Sequence, residues 1–114
     1  MRKIIGIGET VFDIIFKNNQ PLTARPGGSV YNALISLGRL GTQPIFISEI
    51  GDDKIGGIIK SFLLENNVET QYIYSYDRGK TPLALAFHFA KFSPSLYAIT
   101  LSFIGLSSLT PFSL

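Results

Sequence analysis

The feature that most constrains this chain is an alternation: two stretches with apolar residues at helical spacing, each flanked by short runs rich in β-branched residues. Val30, Ala33, Leu34, Leu37 and Leu40 fall on one face of a helix, as do Ile55, Ile58, Ile59, Phe62 and Leu63. Strand-like runs lie around them at residues 3–8, 44–50 and 72–76. Strands separated by single helices predict an α/β fold with a mostly parallel sheet and crossover helices.

The punctuation agrees with that reading. Pro26-Gly27-Gly28-Ser29 breaks the chain before the first helix and Gly41 stops it. Asp53 is placed to cap the second helix, and Glu65-Asn66-Asn67-Val68 to end it. Residues 3–8 close on Gly6-Ile7-Gly8 and read as a buried first strand. Residues 11–16 resume a strand-like run, Asn18-Asn19-Gln20-Pro21 turn the chain, and 22–25 are extended, which predicts a small hairpin outside the main sheet. Asp77-Arg78-Gly79-Lys80 is a further turn, and 81–89 a further apolar strand.

Composition narrows the function classes. At 114 residues, 46% of them hydrophobic and 16% charged, the chain has the content of one folded domain and is short for an enzyme with a nucleotide site and a second substrate. Its net charge of +2 is spread along the chain with no Lys/Arg cluster, so nucleic acid is not an expected partner. There is no Cys, hence no disulfide framework, and His88 alone cannot build a zinc site; it reads as a strand side chain. Glu9 and Asp13 interrupt the apolar run after Met1-Arg2-Lys3 before it reaches signal-peptide length, and residues 96–109 are too few and too Ser-rich to span a bilayer. A cytoplasmic protein with no membrane partner is expected.

Three features could carry chemistry. The first is Asp13, just past the first strand. The second is Gly27-Gly28-Ser29-Val30-Tyr31-Asn32, the entrance to the first helix. Paired glycines there let backbone approach a ligand closely and leave N–H groups free, while Asn32 offers both a donor and an acceptor, a combination suited to sugar hydroxyls. Each also has a plainer explanation, a surface acid for Asp13 and a turn for the glycines. The third feature, Gly51-Asp52-Asp53-Lys54-Ile55-Gly56, is explained by a strand-end turn and a helix cap and is assigned to structure. Gly6-Ile7-Gly8 does not complete a dinucleotide-binding loop, because Val11 stands where its third glycine would be.

Taken jointly, Gly8-Glu9-x-x-x-Asp13, Gly27-Gly28-Ser29-Val30-Tyr31-Asn32, Leu37-Gly38-Arg39-Leu40-Gly41, Ile50-Gly51-Asp52-Asp53-x-x-Gly56 and Leu63-x-x-x-x-Val68 resemble the PfkB/ribokinase family of carbohydrate kinases, most closely its fructokinase-like members. The resemblance covers residues 3–87. It implies a ribokinase-like fold with a small β lid, a small-molecule sugar as substrate, and sugar contacts at Asp13, Gly27, Gly28 and Asn32. It also implies that the hairpin at 13–25 and the strand near Tyr72 belong to the lid, that Thr81-Pro82-Leu83-Ala84 is the strand following it, and that the lid can form a homodimer. Val30 and Leu34 stand where the family prefers smaller residues.

The family's second signature, Asp-Thr-x-Gly-Ala-Gly-Asp, has no counterpart here, so no catalytic residue is assigned. ATP and Mg2+ serve the full-length family, and neither is expected to bind this fragment, whose C-terminal half is missing on this reading. No acid follows Asp77 and no charge follows Lys91, which sets residues 88–114 apart from 1–87 as an atypical tail, read as a frame-shifted or truncated ending. The functional expectation is the sugar-binding and lid portion of a kinase acting on fructose or a related hexose. The alternatives are a non-catalytic sugar-binding or dimerisation module, and a piece without function that folds poorly because its sheet is left uncovered.

Overall fold

A computed structural model of the chain describes residues 2–88 and 102–104. The atypical tail otherwise lies outside the described residues.

Two sheets are present. The first contains β1 (Ile5–Ile7), β4 (Ile45–Gly51) and β5 (Ile73–Tyr76) in the order β1-β4-β5, with both pairings parallel. The second contains β2 (Val11–Lys17), β3 (Gln20–Gly27), β6 (Leu83–His88) and β7 (Ser102–Ile104) in the order β3-β2-β6-β7. Helix α1 (Ser29–Arg39) connects the second sheet to β4, and α2 (Lys54–Glu65) makes the crossover from β4 to β5. The parallel body sheet and the lid are those expected.

Both helices pack on one face of the body sheet. Tyr31, Leu34 and Ile35 of α1, Ile59 and Leu63 of α2, and Phe46 and Ile50 of β4 form the core with Val68 and Ile73. Burying each large side chain of this kind contributes about 1.5–3 kcal/mol. The Tyr31 ring lies against both Phe46 and Phe62, with centroids 6.3 Å apart in each case, but its hydroxyl is buried with no hydrogen-bond partner among the described residues. Gly6-Ile7-Gly8 serves this packing: a Cβ at Gly6 would come within 2.6 Å of Leu34 and one at Gly8 within 2.7 Å of Val30. Leu34 and Val30 of α1 are thus accommodated by Gly6 within β1 and Gly8 just after it.

The helix ends follow the sequence signals. Gly41, at φ 91°, closes α1, and Asn67, at φ 62°, follows α2 in the left-handed region. Asp53 caps α2, its Oδ1 accepting the Gly56 N–H at 2.8 Å. Ile58, expected on the buried face of α2, is 49% exposed, because the core draws on Ile59 and Leu63, one position around the helix.

Two expectations need correction. The strand near Tyr72 does not belong to the lid: β5 pairs with β4 in the body, and Ile73 is buried in the core between the helices and the sheet. Conversely, the segment beginning Thr81-Pro82-Leu83-Ala84 does not follow the lid but forms it, since β6 runs parallel to β2 from Phe12↔Leu83 to Lys17↔His88. Apolar alternation is the same for a body strand and a lid strand, so only the pairing separates them. The other correction concerns β1, whose Gly6 is only half-buried against α1; Ile5 and Ile7 point away from the helices and are exposed.

Candidate functional site

The hairpin β2–β3 turns at Asn18 and Asn19, both at positive φ (52° and 61°), as two-residue hairpins require. Lys17↔Gln20 and Phe16↔Pro21 pair in simple register, and then the register shifts so that Ile15 faces Thr23 and Asp13 faces Arg25. Leu22 is the extra residue of this bulge, next to a proline with no N–H to give. The shift places Asp13, Arg25 and Gly27 on one face of the lid.

There the Asp13 carboxylate lies directly against Gly27, and a Cβ on Gly27 would collide with Asp13 Oδ2. Gly28 follows as the N-cap of α1 at φ 122°, where a side chain would also meet the Glu9 carbonyl oxygen at 2.6 Å. No side chain caps the helix, so its first-turn N–H groups remain available. Asn32 sits exposed in that first turn, its backbone N–H bonded to the Gly28 carbonyl oxygen at 2.9 Å, and its side chain makes no hydrogen bond among the described residues. The structure thus gathers Asp13, Gly27 and Gly28 at one junction and puts Asn32 on the helix that leaves it.

Burial pushes the Asp13 carboxyl up from the usual carboxylate range, and the Arg25 guanidinium across the hairpin offsets part of that effect. Its oxygens accept no hydrogen bond among the described residues. The result is an unsatisfied, half-buried acceptor beside bare glycine backbone.

Sequence reasoning missed three contributors. Arg25 is one; its place opposite Asp13 depends on the bulge. Thr81 is another. Its N–H donates to Asp53 Oδ2 at 2.7 Å, its hydroxyl donates to Asp53 Oδ1 at 2.7 Å, and that same hydroxyl oxygen accepts the Gly51 N–H at 3.1 Å. The turn assigned to structure is therefore also the bolt between body and lid. The third is Ser48, whose hydroxyl donates to the Gly8 carbonyl oxygen at 2.6 Å and fixes the chain as it leaves β1. Gly79-Lys80-Thr81, a Gly-Lys-Thr run that pattern reading passes over, is no phosphate loop: it leads into a strand rather than a helix, and its hydroxyl is engaged by Asp53.

Comparison with known proteins decides the family, because residues 1–91 match the profile of the pfkB family carbohydrate kinases. The chain belongs to the pfkB family. Among curated pfkB-family relatives, a fructokinase of Escherichia coli is 29% identical over 83 residues, covering 73% of this chain and 27% of that protein. A 5-dehydro-2-deoxygluconokinase of Bacillus cereus is 33% identical over 91 residues, covering 74% of this chain and 27% of that one. Among solved structures, a sugar kinase of Pyrococcus horikoshii superposes with a TM-score of 0.75 at 23% identity, over 89% of this chain and 34% of that chain. A fructokinase of Vibrio cholerae, solved with fructose, ADP and calcium ion bound, gives 0.76 at 20% identity, over 92% and 32%. These likenesses show the ribokinase-like fold. This pfkB-family chain spans about a quarter of the length of the curated relatives and about a third of the solved ones.

The P. horikoshii kinase has also been solved with ATP. At the paired-glycine entrance to α1, Asp13 lies against Gly27, and its charge opposes a polyphosphate there. Among the described residues no cluster of three or more His, Cys, Asp or Glu could hold a metal ion.

Proposed function

We propose that this chain is the sugar-binding and lid portion of a carbohydrate kinase, with a hexose such as fructose held at the junction of the lid and α1. The observation that carries this reading is the Asp13 carboxylate, half-buried, without a hydrogen-bond donor and pressed against Gly27 beside an uncapped helix entrance. A carboxylate in that state prefers ligand hydroxyls, which donate, over anions. Gly27 and Gly28 give the ring room against bare backbone, and the Asn32 amide supplies a donor and an acceptor. The chain's own residues bind and orient the sugar; activating its hydroxyl falls to the second family signature, which this sequence does not contain. Kinase turnover by the 114-residue chain alone is not expected.

Titration of the chain with fructose, followed by calorimetry, tests the reading. Saturable binding weakened at least tenfold by Asp13→Ala and by Asn32→Ala supports it, whereas binding unchanged in both variants removes these residues from the site.

A second reading, a dimerisation module, is favoured by the opposite face of the lid. Phe12, Ile14 and Phe16 of β2 alternate with Asp13 and pair with Leu83, Leu85 and Phe87, and the Phe16 and Phe87 rings stack with centroids 5.0 Å apart. Ile14, Phe16, Leu85 and Phe87 are only half-buried, and a second lid laid on them would complete their burial. Light scattering that gives a dimer mass for the chain and a monomer mass for Phe16→Ser supports this reading. A cytoplasmic location is part of the same proposal; among the described residues no helix is long and apolar enough to cross a membrane.

A further inference from the structure

Opposite its apolar face, the lid carries small residues around one acid and one base. Asp13 and Ile15 pair there with Ala84 and Ala86 of β6, which leaves room for a ligand above the sheet. The antiparallel pairing Asp13↔Arg25 sets the two charges side by side on that face, their Cβ atoms about 4.5–5.5 Å apart, as in any directly opposed pair. Arg25 acts on the Asp13 carboxyl through its charge, yet the two form no ion pair. The described residues give Arg25, which is exposed, no hydrogen bond either. Lys17, the next cation on this face of β2, lies four residues from Asp13, about 13 Å at the rise of a strand. Arg25 is thus a planar fork of donors with nothing to hold, next to the acceptor proposed for sugar hydroxyls.

We propose that Arg25 is a specificity-determining residue: its guanidinium takes a carboxylate carried by the sugar while Asp13 accepts from the hydroxyls, so that the site prefers an acidic sugar to a neutral one. The inference rests on reading Asp13, Gly27, Gly28 and Asn32 as sugar contacts. A guanidinium matches the two oxygens of a carboxylate in a bidentate pair, which is stronger than a bond to a neutral hydroxyl. The two side chains sort the groups of the ligand between them. Asp13 repels an anion from its own position and draws donating hydroxyls, whereas Arg25 has only donors and draws an anion. A neutral hexose satisfies Asp13 and leaves the guanidinium without a charged partner. A hexulosonic acid satisfies both.

Fructose and 2-keto-D-gluconate make a matched pair of probes, because they differ only at C1, a hydroxymethyl group in the first and a carboxylate in the second. Calorimetric titration of the 114-residue chain with each, at pH 7 and one ionic strength, is expected to give a dissociation constant at least tenfold lower for 2-keto-D-gluconate. Arg25→Gln should abolish that preference and leave fructose binding within about twofold of the parent, while Arg25→Lys, a charge without the fork, should retain part of it. Arg25 is exposed, so neither substitution should alter the circular dichroism of the chain. Equal affinity for the two ligands overturns the proposal, as does a preference that survives Arg25→Gln. Acetate bound as tightly as 2-keto-D-gluconate also overturns it, because the carboxylate would then be held without the sugar. The two readings fail separately: fructose binding that Asp13→Ala weakens, with no preference for the acid, removes this proposal alone, whereas no saturable binding of either ligand removes the sugar contacts and this proposal with them.

Discussion

The Asp13 carboxyl sits half-buried between Gly27 and the Arg25 side of the hairpin, and the folded state therefore holds its proton more tightly than the unfolded chain does. With the folded value above the ordinary 3.8, the folded form binds more protons in the window just above that pH, so this group's contribution to stability falls as pH rises through it. Asparagine has nearly the same shape and no charge. Asp13→Asn should accordingly raise the melting temperature at pH 7, with the difference from the parent shrinking as the pH is lowered to 3.5, while fructose binding weakens. A variant less stable than the parent at pH 7 would mean that Arg25 outweighs burial. At this scale the candidate site was legible as a set of residues: the glycine pair, Asn32 and the acid stand out by type and spacing, and Gly28 adopts φ 122°, a backbone conformation that favours glycine. Arg25 was not, because nothing in its own neighbourhood marks it.

Among the elements, the bulge shows why. Continued in the register of Lys17↔Gln20 and Phe16↔Pro21, the hairpin would set Asp13 opposite Ala24 and turn Gly27 to the other face; the shift between Ile15 and Phe16 brings Arg25 and Gly27 to Asp13 instead. One residue of register decides the composition of the site, and hydrophobic alternation cannot report it. Helices were easier, since their period and their caps are local. The α2 cap does more than its sequence signal implies. Burial alone would raise the Asp53 carboxyl, but hydrogen bonds from the Thr81 N–H, the Gly56 N–H and the Thr81 hydroxyl, with the charge of Lys80, hold it below the ordinary range. Asp53→Ala should cost about 2–3 kcal/mol, ~1 from the lost cap and the rest from the Thr81 groups left without an acceptor. Because the folded value is depressed, this stabilisation is present above pH 3.8 and is lost as the pH falls through the folded value. Denaturation midpoints at pH 7 should therefore separate parent and variant clearly, and midpoints near pH 2.5 much less.

For the molecule as a whole, the question is how a lid sheet and a body sheet that share no strand move together. Described bonds link them where Thr81, two residues before β6, is tied to Asp53 and Gly51 between β4 and α2, and where the Thr10 hydroxyl, just before β2, donates to the Glu49 carbonyl oxygen at 3.3 Å. The body has its own core under both helices, and the lid meets it through Phe12, which packs against that core. Local opening of the lid should therefore cost less than opening of the body. Sequence pattern announced a hairpin outside the main sheet, and the family resemblance a lid, but neither announced this attachment, which arises between residues 28 positions apart and depends on tertiary placement. Thr81→Val keeps the side-chain shape and removes the hydroxyl, leaving Asp53 Oδ1 with one donor fewer and the Gly51 N–H with none. Amide hydrogen exchange should then quicken about tenfold in β2 and β6, equivalent to ~1.4 kcal/mol of opening free energy, while β4 and α2 keep their protection. An equal quickening in both sheets would mean that lid and body open as a single unit, and that the Asp53–Thr81 bolt stabilises the whole molecule rather than the joint.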